Sequence, residues 1–187
     1  ISFHTQGVVD LSTDEVYLTE ITLKRAELTH PLHQFFLKQP STILWGENDI
    51  RASKVSISTG SGFLVIDDFT IDEDKLSGEL HIDRLPLTIL RVINPDWIAT
   101  GSLTGKGSLR GTLEKPDAEL ILEGKSLEWG EPLQALKGEK NQFGRIDVSS
   151  IFKLSQGFLS WDVKLGKGSG FTLSSIGKVS VEQWYPT

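Results

Sequence analysis

Few residues in this 187-residue chain have the types and spacing that chemistry needs. His30 and His33 lie three apart, the offset that would place two imidazoles on one helix face as half of a metal site. No third ligand is evident and Pro31 distorts the first turn, so an exposed helix entry is expected there. The acidic residues Asp67, Asp68, Asp72, Glu73 and Asp74 are of the kind that hold calcium. The run lacks the central glycine and closing glutamate of such a loop, so Asp72 to Asp74 is expected to be a solvated hairpin tip. Asp67 interrupts an apolar run and has no evident role. Gly101 to Gly111 is glycine-rich but lacks the strand–loop–helix context and the Lys-Ser/Thr ending of a phosphate loop. No Ser/His/Asp constellation stands out. The chain has no cysteine, which excludes disulfides and thiolate metal sites. The expectation is a protein without catalytic residues, cofactor or metal. A net charge of −6 argues against general nucleic-acid binding.

The elements that hold these residues are better defined than any reactive group. The stretch Gly101 to Leu122 reads GSLTGKGSLRGTLEKPDAELIL. Its odd positions up to 113 are Gly, Leu, Gly, Gly, Leu, Gly and Leu; its even positions up to 112 are Ser, Thr, Lys, Ser, Arg and Thr. Successive side chains of a strand point to opposite faces, so this is a ribbon with one apolar, glycine-dotted face and one polar face. A helix would mix the two sets. Glu114-Lys-Pro116-Asp117 breaks the run, and Ala118, Leu120 and Leu122 resume it, which predicts a hairpin.

The same reading covers the rest of the chain. Strands are predicted over residues 1–10, 14–23 (with a phase slip near Glu20 that a bulge would explain), 42–45, 52–58, 62–71 and 76–83. In 62–71, Phe63, Val65, Phe69 and Ile71 share one parity and Leu64 and Ile66 the other. Further strands are predicted over 145–154, 158–165 and 170–176, with a last one possible over 178–184. Residues 127–140 are weakly patterned. Two short helices are predicted, Pro31 to Lys38 and Leu85 to Ile93. In the second, Leu87 and Leu90 belong to an apolar surface covering most of the circumference, which suits a plug buried against the sheet. Trp45, Trp97, Trp129, Trp161 and Trp184 are expected to fill cores or cover edges. The apolar fraction of 38% is low for a globular domain and favours a thin, two-sided structure. No apolar run approaches the roughly 20 residues of a membrane span. The chain has no methionine and starts in mid-pattern at Ile1-Ser-Phe3. It is therefore expected to be one β-rich segment, residues 1–187, of a longer polypeptide, whose own signals or anchor it need not carry.

Three features follow one another between Leu76 and Leu122: the strand Leu76-Ser-Gly-Glu-Leu80, the Leu-Pro-Leu start at Arg84 to Leu90, and, after Asn94-Pro95, Gly101-Ser-Leu-Thr-Gly105 with Leu109-Arg-Gly-Thr-Leu113 and Lys115-Pro116. This order resembles the TamB family of large bacterial envelope proteins, within the AsmA-like, bridge-like lipid-transfer group. Repeats of that family run strand, short "lplsll" helix, G-x-L-x-G strand and G-T-x-x-x-P turn. The resemblance covers roughly residues 60–125; outside it only the β-rich character agrees. It implies an all-β fold: one strongly curled antiparallel sheet, an open trough of β-taco type with an apolar inner face, carrying two short helices. It also implies the periplasmic part of an inner-membrane-anchored protein that reaches toward an Omp85-type outer-membrane barrel partner, in the assembly of outer-membrane proteins or the movement of phospholipid.

On this reading Leu76, Leu80, Ile82, Leu103, Leu109, Leu113, Ala118, Leu120 and Leu122 line a lipid or client groove, and Leu87 and Leu90 plug it. Gly105, Gly107 and Gly111 on the same face would permit bending and leave shallow space for an acyl chain. The occupant would be a phospholipid tail or an extended, unfolded outer-membrane protein strand, the latter in the cleft or on an open sheet edge. Open edges would also let the isolated segment self-associate. The alternative is a closed β-sandwich, a structural spacer or adhesion module without a groove, because alternation alone does not separate a groove from a sealed core.

Overall fold

The computed structural model describes residues 2–11, 19–30, 33–46, 49–90, 99–129, 145–167 and 171–181. The strands are β1 (Ser2–Leu11), β2 (Thr19–His30), β3 (His33–Leu37), β4 (Ser41–Trp45), β5 (Asp49–Ala52), β6 (Val55–Ser58), β7 (Phe63–Asp72) and β8 (Lys75–Pro86). They continue with β9 (Ala99–Thr112), β10 (Pro116–Trp129), β11 (Ile146–Ser155), β12 (Phe158–Lys167) and β13 (Phe171–Ser180). All belong to one sheet, and every pairing is antiparallel.

The order across the sheet is that of the chain. β3 and β4 both pair with β2, at Glu27 to His30 and at Thr19 to Leu23 respectively. They are two halves of one interrupted strand, broken at Lys38 to Pro40, where proline cannot donate to a ladder. β5 and β6 are likewise halves of one strand along β7, broken at Ser53 and Lys54. The two breaks are neighbours. Across them Ser53 N–H donates to the Thr42 carbonyl at 2.9 Å, Thr42 N–H to Ser53 Oγ at 2.8 Å, and Lys38 N–H to the Ser56 carbonyl at 2.8 Å. The line of irregularity continues on both sides. Lys24 is the extra residue where β2 slips past Gln6 and Gly7 of β1, and Asp68, at φ 49°, is extra where β7 slips past β8. This crease crosses β1 to β7 and stops at Gly78. A second crease crosses β8 to β11, with Arg84 (φ 45°) on β8, Ser126 (φ 55°) facing Gly101 (φ 102°), and Ser126 N–H donating to Asp147 Oδ1 at 2.8 Å. Each extra residue resets the side-chain alternation and bends its strand.

Both predicted helices are corrected. Residues 33–37 form β3, with Phe36 opposite Glu27 and Ser58, so His30 and His33 face each other across a strand pair and share no helix. The run is too short for periodicity to separate the two states, and pairing with β2 and β6 decides it. The predicted helix at 85–93 begins as strand, since Leu85 and Pro86 end β8; only Leu87–Ile89 makes a single 3-10 turn. Leu85 opposite Leu103 continues the ladder where helix was expected. Residues 91–93 lie outside the described residues, as do 14–18 of the predicted second strand, 130–140 of the weakly patterned stretch, Trp97, and 182–184 of the predicted last strand.

Burial is thin. Among the described residues the buried apolar side chains are Val65, Leu87, Ala99, Leu127 and Val181. The accessible surface is 13067 Å², against roughly 8900 Å² for a globular monomer of this mass. Among the described residues a local core joins Leu87, Ala99 and Leu127, with Leu90, Leu103, Ile146 and Val148 packed against it. Leu87 and Leu90 thus pack at the second crease, on a one-turn element.

Candidate functional site

Residues directly opposite in a ladder point to the same face, so the registers give the composition of each face across the sheet. One row runs Ile21, Ile43, Ala52, Phe69, then Gly78, Leu109, Ala118, Leu154, Leu159, Val179; Phe69 joins β8 through its ring beside Gly78. The next runs Val55, Ile66, Leu80, Gly107, Leu120, Phe152, Trp161, Gly177. A third runs Ile57, Leu64, Ile82, Gly105, Leu122, Ser150, Val163. The apolar face is therefore continuous across the interrupted and uninterrupted strands alike. Ser150, the polar member, is buried and its hydroxyl donates to the Leu122 carbonyl at 3.5 Å.

Eight of the nine predicted lining residues, Leu76, Leu80, Ile82, Leu103, Leu109, Ala118, Leu120 and Leu122, fall on this face, and each is half-buried. Leu113 does not. β9 ends at Thr112, and Leu113 lies in the hairpin tip, 51% exposed, its N–H donating to the Asp74 carbonyl at 2.7 Å. The turn begins one residue before the parity does, so Leu113 keeps the sequence phase but leaves the sheet.

The reading of 62–71 divides differently. Because Asp68 is an extra residue, Leu64 and Ile66 join Phe69 and Ile71 on the apolar face, while Phe63 and Val65 turn to the other. Asp67 then belongs to the polar face, where Lys54 Nζ lies 2.9 Å from its Oδ2. That hydrogen bond holds the Lys54 ammonium above its usual pKa. Thr70 and Ser77 share a hydrogen bond of 2.6 Å just beyond the bulge. Ile66, Phe69 and Gly78 were missed as lining residues; the signal was the paired change of phase at Asp67-Asp68.

The glycines of the face differ in how much room they leave. A Cβ at Gly105 would lie 2.7 Å from Leu122 Cδ2, one at Gly124 2.6 Å from Leu127 Cδ1, and one at Gly177 would fall against Trp161 Cζ2. There the sheet's own side chains already fill the space; Trp161 lies over Gly177 and donates its indole N–H to Ser175 Oγ at 3.2 Å. Gly111, at φ 99°, serves the turn, its Cβ direction meeting the Lys115 carbonyl. At Gly107 the nearest atoms to a Cβ are 3.3 to 3.4 Å away, and at Gly78 the Phe69 ring is at 3.2 Å. Beside these two glycines a recess of about 290 Å³ opens, bounded by Ile66, Phe69, Leu80, Leu109 and Leu120.

A larger cleft, about 610 Å³, lies against the opposite face, floored by Phe63 and Ile121 and rimmed by His81, Asp83, Lys106 and Glu123. Its rim mixes both signs of charge, which sets up no strong field of one sign for an ionic ligand. Among the described residues no group of three or more His, Asp or Glu could hold a metal ion, and no helix is long and apolar enough to cross a membrane. No family model, curated protein or solved structure shows significant similarity to this chain.

Proposed function

We propose that this chain is a non-enzymatic segment of a TamB-like, periplasm-spanning envelope protein, and that its apolar sheet face curls into a trough sheltering phospholipid acyl chains. The observation that supports this most is the continuous apolar face with no second layer over it among the described residues. Leu76, Leu80 and Ile82 of β8, Leu103 and Leu109 of β9, and Leu120 and Leu122 of β10 stay half-exposed. A sandwich would bury them, since stacked sheets meet about 10 Å apart with interdigitating side chains. A single sheet with one greasy face reduces its exposure by curling, and the two creases supply bulges that bend it. Each methylene sheltered contributes about 0.8 kcal/mol before the cost of binding. The Leu87–Leu90 cluster closes one end of the face.

The test is photocrosslinking in cells from Leu109 and Leu120 of the full-length parent. Phospholipid captured at both positions supports the proposal, and capture of none rejects it. A second reading, an extended outer-membrane protein client, is favoured by one observation. β13 is an outer strand among the described residues and carries exposed Leu173, Ile176 and Val179. Crosslinks from these residues to nascent barrel proteins, without lipid capture on β9 and β10, would select that reading.

A further inference from the structure

We infer that Gly78 and Gly107 are the specificity-determining residues of the apolar face, holding open a seat for an unbranched hydrocarbon chain where other glycines of the face are crowded by neighbouring side chains. This rests on the trough reading above, and narrows it from the whole face to one place.

The glycines of the face differ in what covers them. Side-chain atoms of Leu122, Leu127 and Trp161 crowd the space over Gly105, Gly124 and Gly177. Beside Gly78 and Gly107, which lie on adjacent strands one row apart, a recess of about 290 Å³ remains. The first crease ends there, at the register slip between Asp67 and Thr70, so Phe69 stands at one side of the recess and Leu120 at the other. An apolar cavity of about 150 Å³ takes one benzene ring, so this one takes about twice that volume of hydrocarbon, less than a whole acyl chain.

The floor also selects against peptide. β9 is paired on both sides from Ser102 to Gly111, save at Thr104 toward β8. A polypeptide lying here would bury its own N–H and C=O groups with no partner, at a cost an alkyl chain does not incur. The walls beside Gly107 stand close enough that a methyl branch on the ligand meets the Leu80 and Leu120 side chains.

The experiment uses the purified chain and two photoreactive probes, dodecanoic acid with a terminal diazirine and its methyl-branched analogue. Adducts are located by mass spectrometry, and melting temperatures are recorded in parallel. Saturable adducts of the linear probe at Ile66, Leu80, Leu109 or Leu120, with weaker labelling by the branched probe, are expected. Gly107→Val places two methyl groups in the recess and displaces about two methylenes of ligand, so labelling falls by about tenfold at unchanged melting temperature. Gly78→Ala, which crowds the Phe69 ring, weakens labelling less and guards against a folding defect in the first variant. Arg110→Val, on the same strand but on the polar face and outside the recess, leaves labelling as it was. Wild-type adducts spread along β11 to β13, or labelling of a folded Gly107→Val equal to wild type, would overturn the seat and leave the trough standing. No saturable labelling of the wild type anywhere on the face would remove both.

Discussion

The two halves of the sheet reach the same apolar face by different means. From β1 to β7 two of the strands are split into halves, and a crease at Lys24, Lys38 to Pro40, Ser53-Lys54 and Asp68 cuts across all of them. From β8 to β13 the strands run 10 to 14 residues, and glycines opposite large side chains recur along the face. Both halves insert residues into the backbone, at Lys24 and Asp68 in the first and at Arg84 and Ser126 in the second; the second also removes side chains where neighbours crowd. Both devices keep the polarity of the face. An extra residue shifts the alternation by one, and the sequence compensates by shifting its apolar residues at the same place, as Leu64 and Ile66 give way to Phe69 and Ile71.

The largest expected effect tests the first device. Deleting Asp68 removes the phase reset, so either Leu64 and Ile66 or Phe69 and Ile71 must turn to the polar face. Two large side chains lose their half-burial, and a destabilisation of about 3 kcal/mol is expected in urea unfolding. A variant that unfolds at the wild-type midpoint would mean the bulge is a local accident. Next is Leu87→Asp, at the cluster that closes the second half. Leu87 is 4% exposed, and an unpaired carboxylate there costs about 2–3 kcal/mol. Amide exchange should show the loss first in β9 and β10, with β2 to β5 still protected; uniform loss would show that the halves unfold together.

Gly177→Ala probes the second device. The new methyl meets the Trp161 ring, which must swing away, and about 1–2 kcal/mol is expected from overpacking. A fall in Trp161 fluorescence anisotropy should accompany it, and an unchanged signal would show that the ring does not rest on that glycine. The smallest effect is expected at Lys54→Ala. Its pair with Asp67 is exposed, and such pairs contribute little and are screened by salt. A melting temperature that falls clearly would show that the ion pair, and not the backbone, pins the crease.

Much of the sheet was legible because alternation is a local property. β8, β9 and β10 pair as the parity of Leu76 to Ile82, Leu103 to Leu109 and Ala118 to Leu122 implies, with the hairpin turn placed within a residue or two. The creases were less legible. A phase slip was visible near Glu20, and the inserted residue is Lys24; the slip at Asp67-Asp68 read as a misplaced carboxylate. A bulge is set by what the neighbouring strand needs, and one strand's pattern carries only its trace. Helices were expected at 31–38 and 85–93 because short apolar runs fit both periods, and only a partner strand separates them.

By itself the sequence determined the all-β class and the two-sidedness of the ribbon, through side-chain alternation that each strand carries alone. It also placed an apolar patch at Leu87 and Leu90. The tertiary structure decided which glycines are filled and which are vacant. A glycine states only that a side chain is missing; whether the space is taken depends on the rotamer of a residue one strand away. Leu122 and Trp161 crowd the gaps over Gly105 and Gly177, whereas at Gly107 the nearest leucine atoms stand back at 3.4 Å. That difference follows from pairing register and the Asp68 bulge, which bring together residues more than 50 positions apart in the chain, from Ile66 to Leu120.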